Sequence, residues 1–144
     1  MFKVMICGSR MANRNMLHYT QRLVESLALA DPQPVLLVGD AKGVDQMVVQ
    51  TATRLNMVCF CAGISPRPRN GGATNKRSTY LDLSQIKKDD WLFQVPCTTY
   101  TLRDEWLARR AHVVYCVWDG RSPGTQHVYE YAKSLYKDAK LICP

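Results

Sequence analysis

Apolar runs alternate with amphipathic stretches through the first 62 residues of the chain. Lys3 to Cys7 (KVMIC) and Val35 to Val38 (VLLV) are short, mostly apolar runs that each end at a glycine and a polar residue. Such runs are typical of buried parallel strands. Between them, one helix face is marked by Met16, Tyr19, Leu23, Val24 and Leu27. The pattern therefore predicts a first strand, helix and parallel strand.

The same alternation resumes twice along the chain. The predicted elements are a helix over Val44 to Leu55, a strand over Met57 to Ala62, a helix near Leu102 to Ala111, a strand over Val113 to Trp118, a helix around Val128 to Tyr136 and a strand over Lys140 to Cys143. Alternating strands and helices with right-handed crossovers give an α/β fold. We expect one Rossmann-like domain over residues 1–144, with an open parallel sheet of about five strands, order 3-2-1-4-5, and helices on both faces.

Residues 63–101 break this rhythm and predict a long insertion after the third strand. The stretch is rich in proline and glycine, and its only helical tendency is near Leu81 to Lys88. Its densest basic segment is either a lid that closes over phosphate or a solvated loop, and it contains Arg67, Arg69, Asn70, Lys76 and Arg77. Tyr80 and Trp91 either stack on a base or attach the loop to the body of the domain.

Composition excludes several classes of protein. With 144 residues, 47% of them hydrophobic and 22% charged, the chain is neither disordered nor fibrous. No apolar run approaches the roughly 18 to 20 residues that span a bilayer, and no signal peptide is visible, so we expect a cytoplasmic protein with no membrane partner. The net charge of +7 favours anionic partners.

The cysteines read as core residues rather than ligands or disulfides. Cys7, Cys59, Cys61, Cys116 and Cys143 lie in apolar, strand-like stretches, where free cysteine behaves as a small hydrophobe. No CxxC pair or histidine cluster completes a metal set. We expect reduced thiols, no metal and no cofactor.

Three loops should open on one edge of the sheet. They are Gly8 to Arg10, Gly39 to Asp45 and Trp118 to Thr125, and each follows a predicted strand. With the strand order above, the first and fourth strands are neighbours. The chain adds strands in one direction from the first strand and in the opposite direction from the fourth. The crevice at their carboxyl ends is then the default ligand site.

The last of these loops has the chemistry of an anion site. Ser122 can cap the following helix, Pro123 suits its first position, and Gly124 and Thr125 then present unpaired N–H groups. The helix terminus carries a partial positive charge, to which Arg121 and Arg10 would add formal charges, so phosphate is the natural occupant. The alternative is that these residues only form tight turns and a cap. The loops match neither GxGxxG nor Walker A, so neither NAD binding nor ATP hydrolysis is indicated.

These segments resemble a known superfamily. KVMICGSR, VLLVGDAKGVDQMVVQTA and RDEWLARRAHVVYCVWDGRSPGT are together similar to the SLOG superfamily of Rossmann-like nucleotide-binding proteins, and most of all to its small YspA-like bacterial members. The resemblance covers the chain except 63–101. The superfamily also includes the Lonely guy phosphoribohydrolases, the DNA-processing protein DprA and sensor domains for nucleotide-derived signals.

The resemblance implies a pocket for a nucleotide or nucleotide-derived phosphorylated ligand in a homo-oligomer. One end of the ligand would meet Gly8, Ser9 and Arg10. The implied phosphate-binding residues are Gly120, Arg121, Ser122, Gly124 and Thr125, and those on the ribose or base side are Gly39, Asp40 and Asp45. Asp119 is a further candidate for ligand binding. YspA-like sequences similarly carry an arginine before the third helix, so Arg103 is a further candidate ligand.

The resemblance leaves binding and catalysis as alternatives. Lonely guy proteins carry an acidic residue just after the Gly-Thr pair, whereas Gln126, His127 and Val128 follow here. That difference favours a sensor or binding protein over a nucleotide N-glycosidase. If the chain is an enzyme, Glu105 or Asp119 would replace the missing general acid.

A nucleic-acid-binding module is the third hypothesis. The net charge and the relation to DprA support it. The basic residues are scattered, however, and no aromatic and basic stacking surface is apparent. We therefore favour a small-molecule ligand over single-stranded nucleic acid.

Overall fold

Six parallel strands form one open sheet in the computed structural model, which describes residues 1–64, 78–83 and 99–144. The strands are β1 (Lys3–Gly8), β2 (Val35–Gly39), β3 (Cys59–Gly63), β4 (Ser78–Asp82), β5 (Val113–Val117) and β6 (Asp138–Ile142). Their order across the sheet is β4-β3-β2-β1-β5-β6. The Rossmann-like class and the order of the five predicted strands are confirmed.

The additional strand, β4, lies inside the predicted insertion. It pairs in parallel with β3, with Ala62 opposite Leu81 and Gly63 opposite Asp82. The helical tendency predicted near Leu81 to Lys88 is therefore wrong at Leu81 and Asp82, because the open edge of β3 offers backbone hydrogen bonds to a segment that includes the β-formers Thr79 and Tyr80. The rest of that predicted helix, Trp91 and the basic residues of the insertion lie outside the described residues.

Four helices connect the described strands: α1 (Arg14–Ala28), α2 (Val44–Arg54), α3 (Tyr100–Arg110) and α4 (Pro123–Ser134). The Asn13 side chain accepts the N–H of Met16 at 2.9 Å and so caps α1. Thr99 likewise accepts the N–H of Leu102 at 3.1 Å, so α3 begins at Tyr100, two residues before its predicted start.

Apolar side chains cover both faces of the sheet. Along β1, the side chains of Val4 and Ile6 lie on the sheet face that α1 and α2 cover, whereas those of Met5 and Cys7 lie on the opposite face. Successive side chains of a strand point to opposite faces, so a continuous apolar strand needs cover on both. The second face is covered by α3 and α4, for example through Leu107. The two layers hold the carboxyl ends of the strands in fixed positions.

The five described cysteines are free thiols. Cys7, Cys59, Cys61 and Cys116 are buried, as their apolar surroundings predict. Cys143 is exposed, because it follows the end of β6 at the edge of the sheet. The placement of Cys143 in the core was therefore wrong.

Within the described ranges, no helix has the length and apolar character needed to cross a bilayer. Nor do any three His, Cys, Asp or Glu side chains among those residues group closely enough to hold a metal ion.

Candidate functional site

A cleft of about 370 Å³ opens at the carboxyl ends of β1 and β5. Its walls come from the loops after β1, β2 and β5 and from the first turns of three helices. The lining residues are Cys7, Gly8, Ser9, Arg10, Met11, Ala41, Asp45, Tyr100, Thr101, Arg103, Asp104, Asp119, Ser122, Gly124, Thr125 and Val128. The cleft thus lies where strand order predicts a ligand site.

The loop after β1 is held against its neighbours by backbone contacts. The N–H of Ser9 donates to the carbonyl of Val117 at 3.3 Å, and the carbonyl of Ser9 accepts the N–H of Val44 at 3.4 Å. Gly43 has φ +80°, and a Cβ there would collide with the carbonyls of Ser9 and Arg10. The α2 helix can therefore begin directly behind the β1 loop only with glycine at this position.

Asp119 organises the loop after β5. Its Oδ1 accepts the backbone N–H groups of Ser122 at 2.7 Å and Arg121 at 2.8 Å, while its Oδ2 accepts the Ser122 hydroxyl at 2.9 Å. Hydrogen bonds from the N–H groups of Ser122 and then of Arg121 lower the pKa of Asp119 to about 2. Asp119 is therefore a carboxylate at neutral pH and holds no proton to donate.

Ser122 occupies the N-cap position of α4 but does not cap it. Its side chain makes no capping hydrogen bond and is directed instead to Asp119 and, at 3.0 Å, to the Ser9 hydroxyl. Capping by Ser122 was expected, and it is replaced because the Asp119 carboxylate is the stronger acceptor for the Ser122 hydroxyl. The N–H groups of the first turn are thus left without the usual cap.

Gly124 leaves that helix terminus open. It is exposed, and a Cβ built on it would meet nothing within 4 Å. Pro123 at the start of α4 brings no N–H of its own. Backbone N–H groups of Gly124 and Thr125 are therefore the donors that the terminus offers to the cleft, and a bulky group can approach them.

Arg103 forms the floor of the cleft. Its Nη1 donates to Oδ1 of Asp40 at 2.7 Å and to the carbonyl of Ala62 at 3.2 Å, and its Nε donates to Asp104 at 2.9 Å. The side chain is 4% exposed. Burial alone would lower the pKa of Arg103, but the carboxylates of Asp104, Asp45 and Asp40 raise it, so the guanidinium stays charged.

Asp45, in the first turn of α2, lines the cleft beside this guanidinium. Its side chain is buried, and its Oδ2 accepts the N–H of Ala41 at 3.2 Å. Burial raises the pKa of Asp45 to about 7, and Asp104 adds to that rise, while Arg103 opposes it. Asp45 and Asp119 are therefore carboxyl groups of one cleft with very different proton affinities.

Tyr100 connects two arginines of the site. The guanidinium carbon of Arg103 lies 5.2 Å from the centre of the Tyr100 ring, and that of Arg10 lies 5.9 Å from it. Both distances fit cation–π contacts. The aromatic ring thus positions the exposed Arg10 over the cleft.

Most of the predicted ligand residues meet in this cleft. Those that line it are Gly8, Ser9, Arg10, Asp45, Arg103, Asp119, Ser122, Gly124 and Thr125. Those that lie outside its lining are Gly39, Asp40, Gly120 and Arg121.

The residues outside the lining have other contacts. Asp40 is buried under the cleft, where it pairs with Arg103 and accepts the Tyr80 hydroxyl at 3.2 Å. Gly39 leaves room for the Arg103 guanidinium, which a Cβ would strike. Arg121 is exposed, and its backbone N–H donates to Asp119. The hydrogen bond from the Tyr80 hydroxyl to Asp40 attaches the predicted insertion to the body of the domain, which is the second of the two roles predicted for Tyr80.

Glu105, predicted as an alternative general acid, also lies outside the lining. It contacts His127 at 3.1 Å between α3 and α4. His127 stacks in turn on Tyr131, with ring centres 6.3 Å apart. The pair joins two helices beside the site rather than facing its interior.

Sequence reasoning missed the first turn of α3. Tyr100, Thr101 and Asp104 all line the cleft, although the helix was predicted to begin at Leu102. Thr99 was the available signal, since threonine three residues before Leu102 is a typical N-cap. The role of Asp104 as a partner of Arg103 had no such signal, because neighbouring charges in a helix equally suit a solvated surface.

Comparison with solved structures identifies the same fold in several proteins. The molybdenum cofactor carrier protein of Chlamydomonas reinhardtii matches with a TM-score of 0.69 and 17% identity, over 97% of this chain and 75% of the other. DNA processing protein A of Streptococcus pneumoniae matches with a TM-score of 0.71 and 18% identity, over 99% of this chain and 50% of the other. DNA processing protein A of Helicobacter pylori matches with a TM-score of 0.69 and 19% identity, over 99% of this chain and 66% of the other.

Neither a protein-family model nor a curated protein matches the sequence. At identities below one in five, the structural matches speak to the fold alone. This chain spans about half the length of the Streptococcus pneumoniae protein. The chain has the Rossmann-like fold of these proteins, which is the fold that its resemblance to the SLOG superfamily implies.

Proposed function

We propose that the cleft binds a nucleotide or nucleotide-derived phosphorylated ligand and that the protein acts as a sensor or binding protein. The observation that carries the proposal is the open amino terminus of α4. Ser122 turns away from its capping position, and Gly124 leaves free space in front of the N–H groups. Such a terminus favours an anion, and phosphate is the common biological case.

Charge and size support the same class of ligand. Arg10 is exposed and lines the cleft, so it can add a charged contact to the backbone donors. A volume of about 370 Å³ falls in the usual range for small-molecule sites. The proposed orientation places the phosphate at α4 and Arg10, with the sugar and base toward Asp45 and Tyr100.

The carboxylates of the cleft disfavour a long polyanion. Asp45, Asp104 and Asp119 all line it, and each would face the backbone of a nucleic acid unfavourably. The Helicobacter pylori neighbour binds single-stranded DNA, and the Chlamydomonas neighbour carries the molybdenum cofactor. Small-molecule and nucleic-acid binding thus both occur on this fold, and the acidic wall favours the small molecule here.

Binding without hydrolysis is the favoured form of the proposal. Cleavage of an N-glycosidic bond needs a group that protonates the leaving base. Asp119 is ionised at neutral pH, and Glu105 is paired with His127 outside the lining. Neither of the two acids predicted from the sequence, Asp119 and Glu105, is therefore well suited to that step.

One experiment separates these functions. Nucleoside mono- and diphosphates and the matching nucleosides are titrated by calorimetry, and the same mixtures are analysed by chromatography for free base. We expect saturable binding of phosphorylated ligands, much weaker binding of nucleosides and no released base. Catalytic release of base would support the N-glycosidase, and binding only to oligonucleotides, with steep salt dependence, would support the nucleic-acid module.

A further inference from the structure

Asp45 has a buried carboxylate oxygen that lacks a hydrogen-bond partner among the described residues. The residue is 4% exposed. Its Oδ2 accepts the N–H of Ala41, whereas Oδ1 has no hydrogen-bond partner among the described residues. Buried polar atoms in proteins nearly always have a partner, so an orphan in the wall of a cleft points to a group supplied from outside.

The neighbouring guanidinium of Arg103 does not donate a hydrogen bond to Oδ1 of Asp45. Arg103 directs Nη1 to Asp40 and to the carbonyl of Ala62, and it directs Nε and Nη2 to Asp104. Four of its five N–H groups are thus directed to other acceptors, and its charge acts on Asp45 through space. A ligand in the cleft can supply the hydrogen bond that Oδ1 lacks among the described residues.

We propose that the free oxygen of Asp45 accepts a hydrogen bond from a sugar hydroxyl of the bound ligand, and that binding of such a ligand displaces the proton from those molecules in which this carboxyl group is protonated. The inference rests on the proposed nucleotide-binding function. A carboxylate only accepts hydrogen bonds, so the ligand must donate, as a ribose hydroxyl does. Ligand phosphate is disfavoured at this position because Asp104 lies on the same side of the cleft.

The proton balance follows from the environment of Asp45. Burial raises its pKa to about 7, so near pH 7 about half of the molecules carry a proton there. A donor that bonds the ionised form lowers this pKa, and the displaced proton passes to the buffer. No covalent bond between heavy atoms changes in this step.

Several charged or titratable groups surround Asp45. Arg103 and Asp104 face it from α3, Asp40 from the end of β2, Cys7 from β1 and Cys59 from β3, while Arg10 and Asp119 line the same cleft. The hydrogen bond with Cys116 and burial raise the pKa of Cys7, and burial raises that of Cys59, so both thiols stay neutral. Asp119 remains ionised.

Calorimetry with a matched pair of ligands tests the inference. The probes are the tightest-binding of the four common ribonucleoside 5′-monophosphates and its 2′,3′-dideoxy counterpart, which has the same base and phosphate. Titrations at pH 7 in Pipes and in Tris give the number of protons released. We expect the ribonucleotide to release roughly half a proton more than the dideoxynucleotide, and the difference to vanish by about pH 9. We also expect the dideoxynucleotide to bind about tenfold more weakly.

Two variants locate the effect. Asp45→Asn should abolish the additional proton release while Asn still offers an oxygen to the hydroxyl. His127→Gln, which removes a histidine outside the cleft lining, should leave the release unchanged. Persistence of the additional release in Asp45→Asn would assign it to another group.

The comparison of the two sugars in the wild-type protein decides the matter even if Asp45→Asn does not fold. Equal proton release by both ligands, each bound saturably, would contradict the inference and leave the proposed function standing. Failure of every nucleotide to bind would contradict the proposed function itself.

Discussion

Nη1 of Arg103 donates a 2.7 Å hydrogen bond to Oδ1 of Asp40, although 63 positions separate the two residues along the chain. Both side chains are buried, at 4% and 0% exposure. The pair ties the first turn of α3 to the end of β2. It thereby holds Tyr100 and Asp104, which come from the same turn, in the wall of the cleft.

Replacing Arg103 should destabilise the fold strongly. Arg103→Leu leaves Asp40 buried without its counter-charge, and breaking a buried pair in this way typically costs about 3 to 5 kcal/mol. Urea unfolding measures the loss. Arg22→Leu, at an exposed position of α1, is the matched control and should change the free energy of unfolding by less than about 0.5 kcal/mol. A similarly small effect for Arg103→Leu would show that the Arg103–Asp40 pair does not stabilise the fold.

Gly124 should separate stability from binding. Gly124→Ala should raise the free energy of unfolding by roughly 0.5 to 1 kcal/mol, since alanine favours the helix and its Cβ meets open space. Gly124→Val should fold and lose at least about tenfold in nucleotide affinity, because the side chain fills the approach to the N–H groups. Gln126→Ala, on the same helix but outside the cleft lining, should bind normally. Full affinity in folded Gly124→Val would move the phosphate elsewhere.

Arg10 and Arg121 should differ in their effects on ligand binding. Arg10 lines the cleft, whereas Arg121 is exposed outside its lining. A charge-assisted hydrogen bond contributes about 1.5 to 3 kcal/mol, so Arg10→Ala should weaken a nucleoside monophosphate by roughly 10- to 150-fold. The unphosphorylated nucleoside should be hardly affected. Arg121→Ala should have a much smaller effect, and equal losses for both ligands in Arg10→Ala would indicate a structural arginine.

Asp45 should make the unligated protein less stable as pH rises from about 4 to 7. Its folded pKa of about 7 lies above the unfolded value, so in this window the folded state binds more protons than the unfolded state. Stability then falls with pH and levels off above about pH 7. Asp45→Asn should remove this decline. The free energy of unfolding should fall by about 1.4 kcal/mol per pH unit, and so by a few kcal/mol across the window. Parallel stability curves for wild type and Asp45→Asn would contradict the raised pKa.

The alternation of apolar runs was sufficient to predict most of the fold. Continuous apolar strands such as β1 require cover on both faces, and short connections limit the possible strand orders. The edge strand β4 was not predictable in this way. Tyr80 and its neighbours form a strand because β3 presents an unpaired edge, and that edge is a property of the assembled sheet.

The candidate site was predictable where its chemistry is local. Glycines and serines after strands, such as Ser9 and Gly124, mark a ligand edge through turn geometry alone. Long-range partners were not visible in the sequence. Nothing near Asp40 shows that Arg103 will neutralise it, and nothing in the local sequence indicates that Ser122 will turn from its helix toward Asp119. Those relationships arise only when distant loops meet.

The central claim is that phosphate binds at the open amino terminus of α4, and amide NMR tests it most directly. Titration of the ¹⁵N-labelled protein with a nucleoside 5′-monophosphate should shift the backbone amide signals of Gly124 and Thr125 saturably. The matching nucleoside should move them much less, since hydrogen bonds from these N–H groups to phosphate cause the shift. Saturable binding of the nucleotide with both amide signals unmoved would contradict the account.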